Sequence, residues 1–212
     1  MKKAILARKE GMTQIFDDSG RVIPVTVLKA GPCKVIMKRT ADKDGYKSLQ
    51  VGFEEKKPSR VNKPERGHFD RAQAAPMRVL KEFRLENADE YEPGQEITSD
   101  IFAAGDKVDI SGISKGKGFA GSIKRHNQST GPKTHGSHYH RGPGTLGAME
   151  PSKVFKGRPL PGRMGGKTST VLNLEVVDVD PDNNVLLVKG AVPGHRGTLL
   201  EVRESVKKKK TG

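Results

Sequence analysis

Ser114-Lys115-Gly116-Lys117-Gly118-Phe119-Ala120-Gly121 opens the stretch on which the fold turns. Residues 111–168 hold eleven Lys/Arg against one acid, Glu150, with thirteen glycines and five prolines. No hydrophobic period is sustained along them. Such a composition cannot bury enough apolar surface to offset its ordering entropy. The rest of the chain is different in kind. Setting aside the lysine run at 207–210, it carries twenty-four basic and twenty-four acidic residues. The net charge of +14 is therefore concentrated, with +10 of it in this one strap. A strap of this kind has to be ordered by a partner, and its charge makes that partner a polyanion.

On both sides of the strap the pattern is that of strands. Val25 and Val27 alternate within residues 21–28, and Leu49, Val51 and Phe53 within 47–53. Residues 33–37 form a further apolar run, 79–85 read as another strand, and 107–113 alternate again. Pro24 predicts an edge or bulge position in its strand. Beyond the strap, Leu172, Leu174 and Val176 alternate with polar neighbours. Pro181-Asp182-Asn183-Asn184 then signals a turn, with strands predicted at 185–189 and 199–203. Residues 56–73 read as a charged connector with one short helix, and 99–102 as a single helical turn. Short strands at this spacing predict a mostly β domain, a small barrel or a sandwich.

The strap is thus an insertion in a β domain. The expected division is 1–110 for the first part of that domain, 111–168 for an extended basic arm, 169–206 for the final strands and 207–212 for a basic tail. Run out and back as a loose hairpin, residues 127–164 would reach roughly 60 Å, at about 3.3 Å per residue.

Three clusters within the arm carry the expected RNA-binding chemistry. In the first, Lys115 and Lys117 stand among glycines that let a backbone approach phosphates, ahead of a short helix bearing Lys124, Arg125 and His126. The second holds Lys133, His135, His138, His140 and Arg141 around Tyr139. Imidazole, phenol and guanidinium faces stack on unpaired bases or donate to phosphate and 2′-OH groups. The third holds Lys153, Lys156, Arg158, Arg163 and Lys167, read as phosphate clamps.

Other chemistries fit poorly. Gly162 to Thr168 imitates a phosphate-binding loop, but only three residues separate Gly162 from Gly166, and a strand pattern follows where a helix is needed. His135, His138 and His140 match no common zinc spacing and have no cysteine or carboxylate beside them. Ser137 beside His138 is sequence adjacency, which says nothing about a catalytic triad. Cys33 is the sole cysteine, which fits a reducing compartment. The apolar run at residues 4–7 ends at Arg8 and is too short for a signal peptide. With no Trp and no basic amphipathic helix, a membrane surface is disfavoured. The expectation is a soluble cytoplasmic protein with no catalysis, cofactor or small-molecule substrate. A free RNA-binding chaperone or translational regulator is the alternative.

Seven motifs in one order narrow this further. They are Gly11-Met12-Thr13-Gln14-Ile15-Phe16, Ser114-Lys115-Gly116-Lys117-Gly118-Phe119, Lys124-Arg125-His126, Thr134-His135-Gly136-Ser137, Val154-Phe155-Lys156-Gly157, Gly162-Arg163-Met164-Gly165 and Leu187-Val188-Lys189-Gly190-Ala191-Val192-Pro193-Gly194. Together they closely resemble bacterial members of the universal ribosomal large-subunit protein L3 family, over nearly the whole chain. The resemblance implies a translation-protein-type β-barrel and a long extension threading ribosomal RNA toward the peptidyl transferase centre. It also implies early binding in subunit assembly, with large-subunit RNA and neighbouring large-subunit proteins as partners. Placed by position, residues 114–126 would line the root, 127–144 one limb, 146–151 the tip and 153–167 the returning limb. Some bacterial members carry a methylated glutamine after the glycine matching Gly147. Ala148, Met149 and Glu150 stand there instead, so the resemblance does not carry that modification over.

Overall fold

Ala4, Ile5, Leu6 and Ala7 are consecutive and all buried, which a strand achieves only when both of its faces are covered. In the computed structural model, which describes residues 1–207, they belong to β1 (Ala4–Phe16). There follow β2 (Val22–Ala30), β3 (Cys33–Arg39), the short helix α1 (Ala41–Asp44), β4 (Ser48–Glu55), α2 (Lys63–Arg71), β5 (Met77–Phe83), β6 (Glu96–Ile97) and β7 (Lys107–Ile113). After these come β8 (Phe119–Ala120), α3 (Ser122–His126), β9 (Gly162–Arg163), β10 (Thr168–Asp180), β11 (Val185–Lys189) and β12 (Leu199–Glu204). Single 3₁₀ turns lie at Pro58–Arg60, Ala88–Glu90 and Ser99–Ile101. Of the lysine run at 207–210, only Lys207 falls within the described residues.

Two compact units result, Met1–Ile113 with Thr168–Gly212, and Ser114–Lys167. The first holds a closed barrel, β1-β12-β7-β10-β11-β2, and a four-stranded sheet, β5-β4-β3-β6. Every pairing is antiparallel. The open choice between barrel and sandwich thus resolves as a closed barrel with a sheet packed on it. Ile5 pairs with Val202, and Val202 with Ile110, so three fully buried residues stand side by side across three strands. One continuous core runs from these into Val35, Leu49, Val51 and Phe83 of the sheet. β1 is the strand between them, which is why its apolar run has no polar alternation.

Two expectations need correcting. Pro24 lies opposite Gln14 within the closed barrel, not at an edge. Its carbonyl accepts from Gly190 N at 2.8 Å, just past the Val25–Lys189 rung that ends the ladder to β11. The missing N–H therefore falls where that ladder has already stopped. Along β10 the register to β7 shifts between Val171 and Leu174, with Asn173 at φ 58°. This bulge breaks the alternation: Leu172 is exposed while Val176 is buried. The buried Asp109 carboxylate holds it, accepting from Asn173 N at 2.7 Å and from Val206 N at 3.2 Å.

The surface of this unit neutralises itself. Among the described residues, twelve of its Lys/Arg side chains pair with carboxylates. The tightest is two-pronged: Arg8 donates to both Glu54 oxygens, from Nη2 at 2.7 Å and from Nε. Those bonds hold Glu54 below its ordinary carboxylate pKa, and the Ser48 hydroxyl does the same for Glu82. Cys33, donating to the Leu6 carbonyl at 3.7 Å, has its thiol pushed up to about 12 by burial.

Truncating the core residue Ile110 to Ala should cost about 2–5 kcal/mol in denaturant unfolding, as a large-to-small change in a packed interior. A carboxylate with a depressed folded pKa contributes stability above its unfolded value and loses it as pH falls through the folded one. Wild type and Glu54→Gln should therefore differ in thermal midpoint at pH 7, and the gap should begin to narrow once pH falls below about 4.3, the ordinary Glu value. A gap that does not narrow as pH falls would mean that Glu54 acts through packing instead of charge.

Candidate nucleic-acid interface

Only Ala120 and Ser122 are buried within Ser114–Lys167, and neither core cluster includes a residue from this unit. Hydrogen bonds therefore define its path. At the root the two limbs run side by side. Ser114 N donates to Lys167 O at 2.9 Å, Lys117 N to Met164 O at 2.9 Å and Met164 N to Gly118 O at 2.9 Å. β8 and β9 continue this pairing as Phe119 with Arg163 and Ala120 with Gly162. Gly165 adopts φ 72°, and a Cβ there would run into the Lys115 carbonyl. Glycine is required on both counts.

Beyond the root, α3 ends at Asn127, which takes the left-handed conformation at φ 54°. Arg125 is half-buried, and its Nη1 donates to Leu160 O at 2.8 Å. His126 Nε2 donates to the same carbonyl at 3.1 Å. The outgoing limb is thereby braced against the returning one. Further along, Gly131 N donates to His140 O at 2.9 Å, His140 Nδ1 to Pro132 O at 2.7 Å, and Gly144 N to the Tyr139 hydroxyl at 3.1 Å. Side chains at Gly131 or Gly142 would collide with Tyr139. Near the far end, Arg158 donates to the Thr145 carbonyl, and Met149 is 93% exposed.

The fifteen candidate side chains divide into two groups. Arg125, His126, His140 and Arg158 bind carbonyls of their own unit. Lys115, Lys117, Lys124, Lys133, His135, His138, Arg141, Lys153, Lys156, Arg163 and Lys167 are exposed and have no side-chain partner among the described residues. No Lys or Arg of this unit forms an ion pair among those residues, in contrast to the barrel unit. Nor do three metal-binding side chains converge among them. Sequence reasoning missed the bracing role of Arg125 and His126, because it depends on one carbonyl, Leu160 O, thirty-five and thirty-four residues away. It also missed β8 and β9, which at two residues each are too short to show a period.

Residues 81–184 match the family model described as ribosomal protein L3. A protein from Carboxydothermus hydrogenoformans, large ribosomal subunit protein uL3, is 61% identical over 209 residues, covering 99% of this chain and all of its own length. Proteins of the same name from Natranaerobius thermophilus and Halalkalibacterium halodurans are 58% and 56% identical over the same span. With similarity running end to end through barrel and inserted unit alike, the chain belongs to the ribosomal protein L3 family.

Proposed function

We propose that this protein is a structural constituent of the large ribosomal subunit whose Ser114–Lys167 unit binds large-subunit ribosomal RNA. One observation carries the RNA reading: that unit holds eleven Lys/Arg against Glu150, and no ion pair among the described residues engages any of them. Cations left without carboxylate partners are available to phosphates. Binding by charge neutralisation would let phosphates of separate RNA segments approach one another across the arm. Glycines at the close contacts keep the backbone slim enough to lie between them. The work is electrostatic and steric, as befits a family of structural ribosome components, and in bacteria it is done in the cytoplasm.

The family resemblance extends the proposal. On that resemblance the unit would run through ribosomal RNA toward the peptidyl transferase centre, contact neighbouring large-subunit proteins and enter subunit assembly early. Arg125 and His126 would then hold the limbs at a fixed separation, while the unpartnered lysines and Arg141 and Arg163 meet phosphate.

If about half of the unit's cations reach phosphates, the unit alone should contribute a slope of roughly −4 to −5 to log K against log salt. Filter binding of the full chain to deproteinised large-subunit RNA over a KCl series measures it. Exchanging Lys115, Lys117, Lys153, Lys156 and Lys167 for Gln should make the slope shallower by about 2, since on the same footing about half of the five reach phosphate. A slope near zero in the wild type would overturn phosphate-led binding. Hydrogen exchange tests the coupling to order. In free protein, amides of residues 127–158 should exchange far faster than those of β11, and RNA should slow them; equal protection without RNA would contradict ordering by a partner.

A further inference from the structure

The barrel unit is electrically even only as a sum. Residues 56–71 hold six Lys/Arg against Glu65 and Asp70. The structure folds them into the 3₁₀ turn Pro58–Arg60 and α2. α2 rests on a small core of its own, in which Phe69 and Ala72 pack with Ile36, Ala74 and Met77. His68 reinforces the seat, its Nε2 lying 2.6 Å from Gln50 Oε1 of β4. With Phe69 turned inward, the helical period sets Lys63, Gly67, Asp70 and Arg71 on the solvent side, and Arg66, on the flank of the helix, is exposed as well. The only ion pair there is Arg66 with Asp70 at 4.0 Å; Lys57, Arg60, Lys63 and Arg71 have none among the described residues.

Gly67 points independently to a ligand. Apart from proline, glycine is the poorest helix former, yet Gly67 sits mid-helix. A Cβ there would meet nothing within 4 Å, and its φ is not positive, so neither packing nor backbone geometry requires glycine. Lys63 and Arg71 stand one turn on either side of it along the same face. A bare backbone between two cations leaves room for another backbone to come close.

We infer that this face of α2, with the preceding 3₁₀ turn, is a second contact for the sugar–phosphate backbone of large-subunit RNA, made by the rigid barrel unit and separate from the arm. The inference rests on the ribosomal reading above. An RNA backbone suits the face better than a protein does, because its outer residues include no large apolar side chain to anchor a protein interface.

The test uses the full chain and deproteinised large-subunit RNA from bacterial ribosomes. A variant with Arg60→Gln, Lys63→Gln, Arg66→Gln and Arg71→Gln should melt like wild type and bind with a salt slope shallower by about 3. Gly67→Ala should melt at or above the wild-type temperature yet bind at least several-fold more weakly. Unchanged slope and affinity in both variants, while the five-lysine arm variant weakens, would overturn this inference and leave the arm reading standing. Unchanged binding in all three would overturn both. Because Cys33 is buried, Lys63→Cys offers a single reactive thiol for a photo-crosslinker. Crosslinks to RNA in reconstituted large subunits are expected; crosslinks only to another protein would overturn the inference.

Discussion

Everything in this molecule hangs on the pairing of β7 with β10. Ile113 and Thr168 are rung partners, though fifty-four residues lie between them in sequence. Bringing the ends of a long flexible segment together is entropically mild, since each doubling of loop length adds only about 0.6 kcal/mol. The barrel supplies the closure. β7 and β10 are neighbours because both line the same ring of buried side chains, with β12 against β7 and β11 against β10. An insertion with no apolar core can therefore be carried by a domain that has one.

That division of labour also governs charge. Lys3 with Asp106, Arg8 with Glu54 and Lys107 with Glu175 are part of a surface on which opposite charges find each other. Pairs of this kind, only partly withdrawn from solvent, add modestly to stability one by one. Their consequence is for recognition: a neutralised surface attracts no polyanion, so attraction is confined to the places where pairing fails. The inserted unit is one such place, and the outer face of α2 is another.

Much of this was legible in the amino-acid order, and the parts that were not share physical causes. Strands with one covered face, such as β7 and β11, announced themselves through alternation or short apolar runs. β1 did not, because its first residues are covered on both sides and its run resembled the start of a leader segment. By strand alternation Leu172 and Leu174 share a face, but the two lie on either side of the Asn173 bulge, and a single extra residue reverses which face is buried. Within the arm, composition identified the cations, yet not which of them are tied to carbonyls. Arg125 and His126 look like their neighbours until the returning limb places Leu160 beside them. The basic cluster on α2 was hidden by arithmetic, since acids elsewhere in the same domain cancel it in any domain-wide count.

The near-collision of Gly165 with the peptide of Lys115 sets the calibre of the inserted unit where its limbs begin. Paired backbones lie about 4.8 Å apart, whereas a single α-helix with its side chains is about 10–12 Å across. A protein reinforced by helices or by a packed interior cannot be made that slender. Two peptide chains laced directly to each other can occupy a crevice that would turn away ordinary secondary structure, and a lone methyl group at this point would be enough to spoil the fit.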